Sequence, residues 1–141
     1  MDLASELLTI NYAAVATATI SSYFLGFAWY HWAIFGKAWA SALGMTKEEA
    51  DNTEGLGSAF IISLISGPTK ALLIALLTTV TDISGPISGA LFGAVVAMAF
   101  TITSLGYYNG FARTPPKLTL INSAHSAVEL MLIGAIIGSF G

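Results

Sequence analysis

The chain has 141 residues, of which 55% are hydrophobic and only 9% charged, and its mean hydropathy is +0.77. That leaves too little polar surface for a soluble domain of this size and points to a bilayer. The formal net charge of −3 provides no basic patch for nucleic acid, and the absence of cysteine excludes disulfides, thiolate metal sites and thiol nucleophiles.

The N-terminus carries Asp2 and Glu6 where a cleavable signal would carry Lys or Arg, so the first apolar segment is expected to stay in the mature protein. Four segments, 10–35, 57–80, 86–108 and 118–140, are each long enough to cross a hydrocarbon core of about 30 Å, which takes roughly 20 helical residues. They are continuously apolar and show no ten-residue alternation, which favours helices over a β-barrel. The expected fold is therefore an all-α integral membrane domain, four transmembrane helices in one compact bundle over 1–141. In the loop after the first span, Thr46 and Glu49 have the spacing of a capping box, which predicts a short helix at the membrane surface. The acidic residues from Glu48 to Glu54 form a solvated face or a docking face for a partner. Thr81 to Gly85 makes a tight helical hairpin, with Pro86 in the first turn of the next helix. Pro115 and Pro116 make residues 112–117 a stiff, extended link into the last span.

Lys37 and Lys47 in the first loop, and Arg113 and Lys117 in the third, all fall on one side of a four-span chain. The positive-inside bias puts loops 36–56 and 109–117 in the cytoplasm and both termini outside, as in a bacterial inner membrane with periplasmic ends. Trp29, Tyr30, Trp32, Lys37 and Trp39 gather at that interface with Tyr107, Tyr108 and Phe111, and are read as anchors, with a ligand-stacking cage of the aromatic residues as the alternative. Small residues recur every fourth position at Ala14, Ala18, Ser22 and Gly26, at Gly85, Gly89, Gly93 and Ala97, and at Gly134 and Gly138. Such ridges let helix backbones approach closely. One ridge serves packing within the protomer and another is available for a homo-oligomer, or all are used in one bundle.

Lys70 and Glu129 each stand near the middle of an apolar span, where an ionisable group pairs, faces a protein interior or lines a polar path. At 1.5 Å per residue, Lys70 lies roughly 20 Å and Glu129 roughly 16 Å from the cytoplasmic ends of their spans, so the two can meet. The pair is either a static lock on helix register or a proton or substrate site. Pro68 interrupts the helix beside Lys70 and frees a carbonyl about one turn earlier. His125, one turn before Glu129, shares its helix face and is suited to carry protons near neutral pH. His31 falls at a similar depth, and Asn122 is a hydrogen-bond partner for a histidine. A His/His/Glu set is compatible with a transition metal or haem, but no closely spaced ligand motif accompanies it, so no metal or cofactor is expected. No serine lies in a GxSxG or SxxK context, so no catalytic residue and no enzyme activity is expected.

The run from Phe24 through Gly26, Trp29 and Tyr30, followed by Gly36, Lys37, Trp39 and Gly44, resembles a small bacterial and fungal membrane family, domain of unknown function 1761. Leu120, Ile121, Asn122 and His125 resemble its C-terminal pattern. His31 and Trp32 depart from it, standing where that family has a small polar residue followed by proline. The resemblance implies a four-helix membrane fold with no assigned activity. Two functions of different class are compatible with these features. One is an oligomeric transporter or channel for a small proton-linked solute, with Lys70, His125 and Glu129 as its polar path. The other is a non-catalytic accessory or scaffold subunit of a larger membrane complex. The expected partners are the lipid bilayer and either further copies of the chain or other membrane subunits.

Overall fold

A computed structural model describes residues 3–141, and every described element is helical. Helix α1 (Leu3–Thr9) meets α2 (Tyr12–Trp29) at 78°. Asn11 makes the corner: its backbone is extended and its side chain accepts the N–H groups of Ala13 and Ala14, an N-cap that starts α2 afresh. The expected first span, 10–35, is thus too long at both ends. It is preceded by a helix that hydropathy alone does not separate, and it stops at Trp29.

The stop has a local cause. His31 is extended and its Nδ1 accepts the N–H of Ala33, opening one wide π-type turn, Trp32–Gly36, in which Gly36 N–H reaches the carbonyl of His31 at 3.0 Å. A Cβ on Gly36 would collide with the Tyr30 carbonyl, so only glycine fits this turn. Helix α3 (Lys37–Ala42) follows, then α4 (Lys47–Asp51), which carries the expected capping box between Thr46 and Glu49. The backbone N–H of Thr46, then its side chain, hold the Glu49 carboxyl below the usual carboxylate range. Lys47 lies 5.8 Å above the Trp32 ring and ties α4 back to the π turn.

Helix α5 (Gly57–Val80) matches its expected bounds, and it runs on through Pro68 rather than being interrupted there. Helix α6 (Pro86–Val96) continues through a π stretch, Ala97–Ile102, into α7 (Thr103–Phe111), and α8 (Pro116–Ser139) completes the chain. Pro116 and Lys117, expected in an extended link, form the first turn of α8, where proline has no N–H to lose. Three stretches, Gly57–Val80, Pro86–Phe111 and Pro116–Ser139, are long and apolar enough to cross a membrane; the bent pair α1 and α2 makes a fourth if counted as one span. The expectation of four spans is therefore met as three to four.

Helix α8 is the centre, packed against α6, α2 and α5. Against α6 the contact is backbone on backbone. A Cβ on Gly89 would strike the Gly134 carbonyl, one on Gly93 the Leu130 carbonyl, and one on Gly138 the Gly85 carbonyl. The N–H of Gly85 donates to the Gly138 carbonyl at 2.8 Å, closing the antiparallel pair. The ridge of α2 also points inward: Ala14, Ala18 and Ser22 are buried, and Gly26 lies against His125. All three small-residue ridges are thus spent inside one chain.

Gly93→Val is expected to lower stability by about 1–3 kcal/mol or more, because neither backbone can yield. Gly106→Ala, where an added methyl meets nothing within 4 Å, should hold or gain about 0.5–1 kcal/mol. Thermal unfolding of the two variants in the same detergent compares them directly.

Candidate functional site

Lys70 on α5 and Glu129 on α8 stand equally far along parallel helices, and they meet: Nζ donates to Oε2 at 2.6 Å. Burial of the two is unequal. The Glu129 side chain is 8% exposed and that of Lys70 35%. An isolated carboxylate at this depth would be strongly disfavoured, and the ammonium is its counter-charge.

The exposed side of Lys70 faces a cleft of about 480 Å³ between α2, α5 and α8. Its floor is Lys70, Glu129, His125 and Ser22; from there it runs between Phe27 and Phe60 towards the first turn of α5 and the end of α2. His125, one turn before Glu129, packs its ring 5.2 Å from Tyr30 and 5.8 Å from Trp29. Its Nε2 is buried and unpartnered, as is the indole N–H of Trp29. Asn122 sits one shell out, where its Oδ1 accepts the Tyr30 hydroxyl at 2.9 Å.

His31 does not join this group. It is exposed at the chain reversal after α2, where its Nδ1 is engaged by Ala33. Extending α2 straight through residue 31 would place it at depth, and the turn at Tyr30 removes it. Two of the expected interface anchors are likewise reassigned. Trp29 is turned inward between Phe35 and His125, and Tyr30 bridges His125 and Asn122. Trp32 and Trp39 are half-buried and Lys37 is exposed, with Trp39 edge-on to Tyr30 at 6.2 Å.

Tyr23 is a site residue that sequence reasoning missed. Pro68 has no N–H, so the Leu64 carbonyl one turn earlier lacks its helical partner. The Tyr23 hydroxyl supplies it from α2 at 2.5 Å. Gly67 makes room, since a Cβ there would enter the Tyr23 ring. The signal was present as a proline with an orphaned i−4 carbonyl beside a mid-span tyrosine on another helix.

A second cavity, about 280 Å³ and lined by Asn11, Thr78, Thr79 and Asp82 among others, lies at the opposite end of the bundle. Between the two, in register along their helices, lie Ala18, Ala71, Ile74 and Ile133, all 0–2% exposed. This apolar layer separates the ion pair from that end.

A family model described as a protein of unknown function, DUF1761, matches residues 13–138. The chain belongs to the DUF1761 family. No curated protein and no solved structure matches it. The matched region includes both sides of the cleft, α2 through α8.

Tyr23→Phe is expected to cost about 1–3 kcal/mol by stranding the Leu64 carbonyl. In a Pro68→Ala background, where residue 68 regains an N–H, most of that cost should vanish. A double-mutant cycle read by denaturant unfolding measures the coupling.

Proposed function

We propose that the chain is an integral membrane carrier for a small, proton-linked solute, with Lys70, Glu129 and His125 as its polar site. The observation that carries this reading is the arrangement of two cavities, one at each end, with a charge pair at the floor of one and a dry layer between them. A carrier needs a site reachable from one side at a time, and midplane polar sites are its usual form. A continuous pore would lack the packed layer of Ala18, Ala71, Ile74 and Ile133. A static lock would have no use for an ammonium a third exposed to a cleft.

In this reading the α1–α2 pair counts as one of four spans. The Lys- and Arg-bearing loops 36–56 and 109–117 face the cytoplasm and the termini the outside of a bacterial inner membrane. The cleft then opens toward the cytoplasmic half. Residues 57–65 of α5 are exposed on every side and include Phe60, Ile61, Ile62, Leu64 and Ile65. That surface suits lipid or a second copy of the chain, and it also keeps the accessory-subunit reading in play, with another membrane protein in that place.

Glu129→Gln separates the readings. In phosphatidylcholine vesicles carrying an internal pH reporter, with choline, lactate and glycerol offered in turn, the wild type should couple proton movement to one of them. The variant should lose that flux at least about tenfold, as removal of a positioned proton-transfer group does, and keep its oligomeric state by native mass spectrometry. A wild type that moves no protons, with a variant that falls out of its native particle, would make the chain a scaffold.

A further inference from the structure

The donors and acceptors of the cleft can be counted. Tyr23 donates to the Leu64 carbonyl, Tyr30 to Asn122, Ser22 to the Thr19 carbonyl, Ser63 to that of Ala59 and Ser66 to that of Ser63. Every hydroxyl proton on the wall is committed within the protein. The ammonium of Lys70 has three N–H groups, and one is given to Glu129. Free donors are therefore concentrated at Lys70, with the unpartnered His125 beside it. No other Lys or Arg lines the cleft, so it can meet at most one negative charge, and only when Glu129 gives up Lys70.

Beyond that head site the walls are apolar. Tyr23 and Phe27 are shared with an adjoining groove along α2 that is completed by Ile20 and Phe24. A volume of about 480 Å³ falls within the range of about 300–1,000 Å³ common for small-molecule sites. We infer that the cleft binds a monocarboxylic acid with an apolar tail, its carboxylate on the Lys70 ammonium and its tail between Phe27 and Phe60. The inference rests on the carrier reading for its purpose, although the site itself is defined by the cleft.

Charge balance then dictates the coupling. Lys70 and Glu129 together are neutral, and an added carboxylate would leave one net negative charge in an apolar surround. One proton enters with each carboxylate and resides on the Glu129 carboxyl, which gives up its place on Lys70. The groups facing Glu129 are few. Helix α5 supplies Lys70, α2 supplies Tyr23 and Tyr30 at its end, and α8 itself supplies His125. Helix α6 and the π stretch contain no titratable residue, and Lys37 of α3 with Tyr107 and Tyr108 of α7 are exposed. His125 is the alternative proton acceptor one turn away.

Calorimetry on the full chain in phosphatidylcholine nanodiscs tests this, with empty discs as the blank and octanoate and octanol as probes. Octanoate is expected to bind about tenfold or more tighter than octanol, in keeping with a charged hydrogen bond. Measurements in buffers of different ionisation enthalpy should show close to one proton taken up per octanoate, and affinity should fall as pH rises. Lys70→Met should reduce octanoate to the level of octanol. Because that variant strands a buried carboxylate, Lys70→Met combined with Glu129→Gln provides the same test in a neutral, isosteric pair. Equal binding of octanoate and octanol, or octanoate binding unchanged in the double variant, overturns the carboxylate assignment. If choline or glycerol still drives Glu129-dependent flux, the carrier reading survives that failure. Tight, Lys70-dependent octanoate binding in a protein that moves no protons has the opposite meaning: the site stands and the carrier reading falls.

Discussion

A carboxylate on the central helix sets the constraints on this bundle. Glu129 is buried on α8, and burial of a charge is tolerated only with a counter-charge at hand. Pairing with Lys70 orients that face of α8 toward α5, and helical geometry settles the rest. Leu130, Gly134 and Gly138 lie on another face and meet the glycines of α6, while His125 and Asn122 turn toward the end of α2. The ion pair, the glycine contacts and the aromatic contacts therefore all call for the same rotation of α8.

The two sides of α8 are built by different means. On the α6 side, glycines bring backbones into contact, and almost nothing can move without collision. On the α5 side the buried residues, Gly67, Ala71, Ile74, Ala75 and Thr78, all lie from residue 67 onward, and the helix is exposed over 57–65. The cleft exists because of that contrast. Close backbone packing holds α8 still while α5 leaves a space for which the chain has no side chain of its own.

Hydropathy, proline placement and the capping box locate α4, α5, α6 and α8 because these signals act within a few residues of the helix ends they mark. The first span was harder to read, since its breaks at Asn11 and Tyr30–His31 rest on side-chain caps and on the room left by Gly36, while hydropathy runs smoothly across them. The same error misplaced His31, whose expected depth assumed an unbroken helix. Depth arithmetic worked for Lys70 and Glu129 because α5 and α8 are continuous. The roles of Trp29, Tyr30 and Tyr23 depend on which residue of another helix each one meets, and a single sequence has no record of that partner.

The bond between Tyr23 and the Leu64 carbonyl bears on how the molecule comes apart. In an ordinary helix each backbone carbonyl is satisfied from within, and a helix can fray or open as its own unit. Pro68 exports one such bond from α5 to α2, at the point where the loosely packed half of α5 joins its packed half. Local opening of α5 there must also break a bond held by α2, which adds the cost of one hydrogen bond to that opening. The exposed stretch of α5 ahead of residue 64 is the part left outside this link, alongside the cleft and away from the dry layer beneath it.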